Sequence, residues 1–269
     1  MGAVRRRAVR RVNTQEVLQL LQDVAEEVIN PRFRALSGDE IHEKNPGDLV
    51  TVADREAEVR ITAALAAAYP HALVLGEEAT ATDDTLLARF READHAFTVD
   101  PVDGTKNFVH GSKDHAVMAS ELRDGEVQRS WIWQPQHGVA YVAERGRGAH
   151  RNGERLVRPP MGDAVRGVTS RRRWIGRSLG GLPPLELTWV CCGVDYPQLV
   201  QGAADYLLYS GTKPWDHAPG SLLLEEAGGY VGTFEGGRYR PQEQPPRGLV
   251  AAADRATYDH VRPLLQELP

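Results

Sequence analysis

Cysteine is nearly absent from this 269-residue chain: the only two, Cys191 and Cys192, are neighbours. Adjacent cysteines are poor partners for a structural disulfide, and two cannot build a four-cysteine zinc site. A reducing, cytoplasmic setting is the expectation. Long apolar runs are absent too. None could cross a bilayer, and no apolar stretch of signal-peptide length follows the basic start, so neither membrane insertion nor export is expected. Internal repeats and low-complexity segments are missing. So are the Gly-x-Ser-x-Gly elbow of a serine nucleophile, the Gly-x-x-x-x-Gly-Lys-Ser/Thr loop of nucleoside triphosphate sites, and any His-x-x-x-His pair among nine histidines. The chain also lacks an excess of positive charge. A net charge of -5 argues against nucleic acid as a general partner. The exception is "RRRAVRR", Arg5 to Arg11. It could touch nucleic acid or an anionic membrane; a solvated, disordered tail over residues 1–12 is the expectation.

What remains is an ordinary globular composition, 41% hydrophobic and 26% charged, in a chain long enough for one large or two small domains. "NTQEVLQLLQDVAEEVINP" reads as a helix, with Asn13 and Glu16 as a capping box and Pro31 at its end. A second helix is predicted from about Ala53, which puts Asp54 at its beginning. "ALVLGEE" and "HAFTVDPVDGT" are apolar strands that finish in carboxylates. Antiparallel strands follow, with turns at Asp124-Gly125 and Asn152-Gly153. A proline-bearing stretch near Val157 to Val165 marks a boundary between an N-terminal α+β domain, 13–160, and a C-terminal α/β domain, 161–269. In the second half "RGVTS", "ELTWVCC", "YLLYSG" and "GLVAAAD" read as strands. "YPQLVQGAAD", "WDHAPGSLLLEEAGG" and "RATYDHVRPLLQEL" read as helices.

Acidic residues gather at element ends: Glu77 and Glu78, Asp100 and Asp103, and Asp216, with Glu43, Asp48 and Asp54 earlier. Hard cations such as magnesium take oxygen ligands and share them with substrate phosphate. Strand faces alternate, so Asp100 and Asp103 cannot point the same way along a regular strand. Pro101 is expected to end the strand. A turn would then bring both carboxylates to one point, with the Val102 carbonyl between them. A helix beginning at Gly104-Thr105 would aim free N–H groups at the same point, as a phosphate cradle. Against this stands the plain fact that Asp-Pro and Asp-Gly are common surface turns.

"DPVDGTKNF" closely resembles the first signature of the inositol monophosphatase family, Asp-Pro-(apolar)-Asp-Gly-Thr-x-Asn-Phe. "WDHAPGSLLLEEAGG" resembles the second. "GEE", "DLVTVAD" and "ERGRGAHRNGERL" also resemble family segments, so the likeness runs from about residue 14 to 265. The resemblance implies an α+β/α/β chain folded as a layered α-β-α-β-α sandwich. It implies magnesium-dependent hydrolysis of a small-molecule phosphate monoester, with two or three ions, manganese as an alternative, lithium inhibition and a homodimer. Residue by residue, it implies metal ligation by Glu77, Asp100, the Val102 carbonyl, Asp103 and Asp216, with Asp100 bridging two ions. Glu77, Thr105 and Asp54 are the catalytic residues, Thr105 paired with Asp54 to activate water. Gly104 and Thr105 N–H groups hold phosphate.

The substrate side departs from the family pattern. "CCGVDYPQL" stands where inositol enzymes carry a Gly-Thr/Ser-Ala-Ala-type loop, and Tyr209 where they often carry a glutamate. Gly193, Asp195, Tyr209 and Lys213 are the candidate substrate contacts. Lys113, Asp114 and His115 are expected to be a polar loop, and "SRRRW", Ser170 to Trp174, a solvated basic one. Trp131 and Trp133 are expected to pack on one strand face. His217 is the histidine nearest the ligands. The leading expectation is a phosphomonoesterase for an inositol-1-phosphate-like polyol phosphate. Histidinol phosphate and other sugar phosphates remain open. A bisphosphate sugar or 3′-phosphoadenosine 5′-phosphate is disfavoured by the compact chain. An alternative of another class is a non-catalytic binding or regulatory partner, supported only by the basic start.

Overall fold

The computed structural model describes residues 12–45, 48–161 and 165–268. The basic run Arg5–Arg11 lies outside the described residues, and so does the rest of the expected tail except Val12.

Helix α1, Thr14–Val24, begins with the predicted box: Glu16 N–H donates to the Asn13 side chain at 2.9 Å, and Asn13 N–H donates back to the Glu16 carboxylate at 2.7 Å. The hairpin β1, Ile41–Asn45, and β2, Asp48–Thr51, leads into helix α2, Val52–Ala68. Thr51 caps α2 and Asp54 is its N3 residue, so Asp54 answers the cap by accepting the Thr51 N–H at 2.9 Å. The buried face of α2 is Ala53, Asp54, Ala57, Glu58, Ile61 and Leu65. Two acids at i and i+4 therefore sit on the same inward stripe.

A seven-stranded sheet follows, in sequential order: β3 (Leu73–Gly76), β4 (His95–Asp103), β5 (Ala116–Arg123), β6 (Glu126–Gln134), β7 (Val139–Glu144), β8 (Gly148–Arg151) and β9 (Glu154–Leu156). Among the described strands of this sheet, β3 and β4 pair in parallel and the rest are antiparallel. Asp124-Gly125 and Asn152-Gly153 form the predicted tight turns, with φ of 50° and 77° in the first, 47° and 83° in the second. These left-handed pairs match the twist of the strands they join. Short helices α3 (Glu77–Thr80), α4 (Leu86–Arg91) and α5 (Thr105–Val109) are interleaved.

The second sheet has the order β11-β10-β12-β14-β13, with β10 Gly167–Thr169, β11 Glu186–Leu187, β12 Tyr206–Tyr209, β13 Tyr230–Thr233 and β14 Leu249–Ala252. Its helices are α6 (Cys192–Val200), α7 (Pro214–Glu226) and α8 (Arg255–Val261). Alternation along β12 explains the layering. Leu207 and Tyr209 enter the core that holds Val194 and Tyr196 of α6 and Leu222 of α7, along with Ile132 of the first sheet. Tyr206 and Leu208 face the other way, toward Tyr258 and Val261 of α8. On the far side of the first sheet, Phe97, Val99 and Trp131 pack against α1 and α2. The result is the expected α-β-α-β-α sandwich.

Several local expectations are corrected. "ELTWVCC" yields only the two residues of β11, and Cys191 is the N-cap of α6 rather than a strand residue. Strand β13 has no counterpart in the sequence reading. The last helix gives way at Val261 to a 3-10 segment, Arg262–Glu267, where Pro263 removes a helical donor. His115 is not part of a polar loop. It is fully buried between Phe33 and Phe108, with ring centroids 5.1 and 5.0 Å away, and its Nε2 has no partner among the described residues.

That burial fixes a pH dependence. Desolvation lowers His115 from its ordinary 6.5 to about 4. A depressed folded value means that the unfolded chain takes up the proton first. The stabilising contribution is whole above pH 6.5 and is lost as the pH falls toward 4, at up to about 1.4 kcal/mol per pH unit for one proton. Urea midpoints between pH 6.5 and 4.5 should therefore fall less steeply for His115→Phe than for the wild type. Parallel slopes would mean that His115 is not held neutral.

Candidate active site

The strand β4 carries Asp100, Val102 and Asp103, and it does not stop at Pro101. Against β5, Asp100 pairs with Met118 and Asp103 with Ala116, so three steps on β4 match two on β5. The extra residue is a bulge. It cancels the alternation that would send the two carboxylates to opposite faces, and it accommodates a proline that has no N–H to give the ladder. Gly104 then turns the chain at φ 80°. A Cβ there would lie 3.0 Å from the Cys191 Cβ and 3.1 Å from the Asp114 carbonyl oxygen. Helix α5 starts immediately afterwards with Thr105.

Glu77 comes from the end of β3. Its turn is clamped from below by Glu58 of α2, whose carboxylate accepts the N–H groups of Glu78 and Ala79, both at 2.7 Å. Gly76 makes room for the clamp, since a Cβ would come within 2.3 Å of the Glu58 carboxyl carbon. Burial pushes Glu58 up to about 7. The Lys44 ammonium, from the hairpin, bridges Glu77 Oε1 and Glu78 Oε1 at 2.7 Å each. Burial alone would lower Lys44, but its two carboxylate partners outweigh that and hold it above its usual range. Asp216 comes from the first turn of α7, where the helix dipole favours an acid.

Asp100, Asp103 and Asp216 are each raised above the ordinary carboxylate range, first by burial. Neighbouring carboxylates push Asp100 and Asp216 up further, Glu77 foremost and then Asp103. Asp103 is the best supported of the three. Its Oδ2 accepts the Gly193 N–H, in a short bond, and the Cys191 thiol at 2.9 Å. Asp100 Oδ1 is buried with no hydrogen-bond partner among the described residues. Like charges packed together with an orphaned oxygen lack their counter-charge. The donor set is all oxygen, which suits a hard divalent cation. Glu77, Asp100, Asp103, Asp216 and the Val102 carbonyl are the residues that could hold one.

Thr105 Oγ1 lies 3.1 Å from Asp54 Oδ1 and 3.0 Å from the Val102 carbonyl oxygen, and its single proton serves one of them at a time. Burial raises Asp54 to about 7, against the hydrogen bonds from Thr51.

The candidate substrate residues fare differently. Gly193 borders the carboxylates through its N–H, and a Cβ on it would strike the Ala116 Cβ at 2.5 Å. Asp195 and Tyr209 are buried and spend their polar atoms on each other at 2.9 Å, with Asp195 also accepting the Trp189 N–H at 2.8 Å. Burial raises Asp195 to about 8. Neither presents a free group to a substrate. Lys213 is exposed, its ammonium 5.4 Å from the centre of the Trp215 ring. His217 is buried, its Nδ1 3.1 Å from the Tyr196 hydroxyl, and burial keeps it neutral. A ligand atom from each of Cys192, Asp216 and His217 falls within 4.8 Å of the others. A separate cavity of about 860 Å³ opens between α1 and strands β6 to β8, lined by residues including Asn13, Gln22, Arg129 and His150. Its lining includes Glu144 but none of Glu77, Asp100, Asp103 and Asp216.

Sequence reasoning missed Glu58, Lys44 and Cys191. The i, i+4 spacing of Asp54 and Glu58 on an otherwise apolar helix face was a usable signal for the first. Lys44 and Cys191 reach the site through tertiary folding and carry no local mark.

A five-layer sandwich whose core gathers acidic side chains around Asp100 defines a class of protein suited to hold a divalent cation. The particular family follows from the sequence as a whole. Residues 11–269 match the Inositol monophosphatase family, and the chain belongs to it. It is 34% identical over 225 residues to an inositol-1-monophosphatase of Mesorhizobium japonicum, covering 78% of this chain and 80% of that protein. It is 32% identical over 219 residues to the Nus factor SuhB of Pseudomonas aeruginosa, covering 73% and 76%. Among solved structures, the IMPase of Thermotoga maritima superposes with a TM-score of 0.77 at 24% identity, covering 93% of this chain and 95% of that one. An IMPase/NADP phosphatase complexed with NADP and Ca2+ gives 0.79 at 22% identity, with 96% and 97% covered.

Proposed function

We propose that the protein is a magnesium-dependent phosphomonoesterase for a small polyol or alcohol phosphate of the inositol-1-phosphate kind, with histidinol phosphate or another sugar phosphate as the alternative within the family. The observation that carries the reading is the partnerless Asp100 oxygen amid buried carboxylates. Magnesium held by Glu77, Asp100, the Val102 carbonyl, Asp103 and Asp216, as two or three ions with manganese as a substitute, would lower the pKa of water and stabilise the leaving oxygen. Asp100, at the centre of the set, would be shared between ions. Thr105 orients the attacking water through Oγ1 and passes hydrogen bonding on to Asp54, whose affinity for protons near neutrality suits an acceptor. The N–H groups of Gly104 and Thr105 hold the phosphate. Cys191 and the Gly193 N–H fix one oxygen of Asp103, so that its other oxygen is presented in a constant direction. The reading includes a homodimer in the cytoplasm and a division into 13–160 and 161–269. The division is supported by the gap between the first sheet, which ends at Leu156, and the second, which begins at Gly167.

The test is phosphate release from inositol-1-phosphate, histidinol phosphate and glycerol-2-phosphate, each with and without magnesium. Hydrolysis of at least one that vanishes in EDTA is expected. Release that ignores EDTA would sink the metal assignment. A second reading, a binding or regulatory role, draws on the relative named as a Nus factor. Deleting residues 1–11 separates the two: hydrolysis should survive, whereas a role in partner binding would be lost.

A further inference from the structure

The two neighbouring cysteines face different acids. Cys191 donates its thiol to Asp103. Cys192, the first residue of α6, turns its sulfur toward α7. A carboxylate oxygen of Asp216, a ring nitrogen of His217 and the Cys192 sulfur all lie within 4.8 Å of one another. Asp216 therefore belongs to two groups at once. It is one of the acids that crowd Asp100, and it supplies the oxygen of this triad.

The triad suits a different cation from the carboxylate floor. Magnesium takes oxygen ligands, whereas thiolate and imidazole select borderline ions such as zinc. Burial, and then the carboxylates of Asp103, Asp216, Asp195 and Asp100, push the Cys192 thiol well above its usual range. A bare thiolate is costly in such surroundings. A cation reverses that logic, because a coordinated thiol gives up its proton. Burial holds His217 neutral, the state in which imidazole ligates. The Gly211 carbonyl accepts a hydrogen bond from its ring, and a carbonyl behind the ring is a common way of orienting a metal-bound histidine. Its Nδ1 lies 3.1 Å from the Tyr196 hydroxyl, a rotor that can release the lone pair. Bond lengths of about 2.0 to 2.3 Å put the ligand atoms of one tetrahedral zinc roughly 3.5 Å apart. Small side-chain rotations therefore close the triad around an ion.

A fourth residue points to an occupant. Tyr239 is 4% exposed, and its hydroxyl has no hydrogen-bond partner among the described residues. Its ring stands edge-on to His217, with centroids 6.4 Å apart, and its hydroxyl feels the charges of Asp216 and Cys192. A buried hydroxyl left unpaired is costly unless something polar visits it.

We propose that Cys192, Asp216 and His217 form a further cation site, for zinc or a like borderline ion, with a water held by the Tyr239 hydroxyl completing its shell. Binding replaces the thiol S–H bond with a sulfur–metal bond, and the proton leaves to solvent. Because Asp216 is shared, zinc bound here draws a ligand away from magnesium and holds turnover down. The binding stands on the geometry of the triad; its effect on turnover rests on the phosphomonoesterase reading.

Cobalt(II) is the spectroscopic probe for zinc. The full chain, stripped of metal with EDTA and dialysed, is titrated with cobalt chloride alone. A thiolate-to-cobalt charge-transfer band that saturates at one ion per chain, and that zinc chloride erases, is expected. Cys192→Ser and Cys192→Ala should both abolish the band while keeping magnesium-dependent phosphate release within about twofold of the wild type. Zinc should inhibit the wild type, and added magnesium should relieve it. The two variants should need at least about tenfold more zinc for half-inhibition, since even the groups behind a ligand are worth about ten- to a hundredfold in metal affinity. Absence of the band overturns the proposal. So does a band that survives in both variants, which would put the sulfur at Cys191. Equal zinc sensitivity of the wild type and the variants overturns the control of turnover. If no ester is hydrolysed with magnesium, yet the band forms and Cys192→Ser removes it, the phosphatase reading falls and the cation site stands.

Discussion

Asp103→Asn should cost roughly a hundredfold or more in kcat/KM, since a metal ligand's share of transition-state stabilisation is several kcal/mol. The geometry says why an isosteric change is so damaging. The Oδ2 position receives the Gly193 N–H and the Cys191 thiol, both donors. An asparagine must place its oxygen there, which turns its NH2 group toward the cation. The same variant should be more stable than the wild type in EDTA, by on the order of 1 kcal/mol. A carboxylate whose folded value is raised loses stability as the pH climbs through that value, and asparagine has no such titration. Melting curves then give a crossed result. Without metal the variant melts higher. With excess magnesium the wild type gains, by about 2.7 kcal/mol at a hundredfold excess over Kd, and the variant gains little. If magnesium raises both melting temperatures equally, Asp103 is not a ligand.

Thr105→Ala tests the other half of the site. Its hydroxyl touches Asp54 and the Val102 carbonyl, and a positioned proton acceptor contributes roughly a hundred- to ten-thousandfold. The loss should fall on kcat, with magnesium-induced stabilisation nearly intact, because the side chain is not a ligand. Thr105→Ser keeps the hydroxyl and should recover most of the rate. A Thr105→Ala enzyme within about threefold of the wild type would place the water-orienting role elsewhere.

The sequence was most legible where chemistry is local. Asn13 with Glu16 marked a helix start because the capping box closes within four residues. Asp124-Gly125 and Asn152-Gly153 marked turns because both positions of such a turn need φ above zero. The carboxylates of "DPVDG" were found for a similar reason, although their convergence was ascribed to a strand that ends. The strand in fact continues through a bulge, and a bulge depends on the register of β5, which no residue of β4 encodes alone. The "ELTWVCC" segment failed for a tertiary reason. Its apolar and β-branched residues suit a strand, yet Cys191 is drawn out of it to cap a helix and, with Gly193 just beyond, grips Asp103. Asp195 and Tyr209 read as substrate groups because they stand where the sequence departs from the family pattern on the substrate side. Their mutual hydrogen bond is visible only once α6 lies beside β12.

Asp103 belongs to a strand of one sheet and is gripped by the start of a helix that completes the other. A chain being synthesised from its N-terminus produces Glu77, Asp100 and Asp103 long before Cys191, Gly193 and Asp216 have been made. Until the later segments arrive and dock, the acidic floor has no roof and no fixed ligand geometry. On the proposed function, half-made or misassembled copies should therefore fail to hydrolyse phosphate esters. Catalytic turnover in a fresh preparation becomes a head-count of fully assembled molecules, a quality check that needs no separate device.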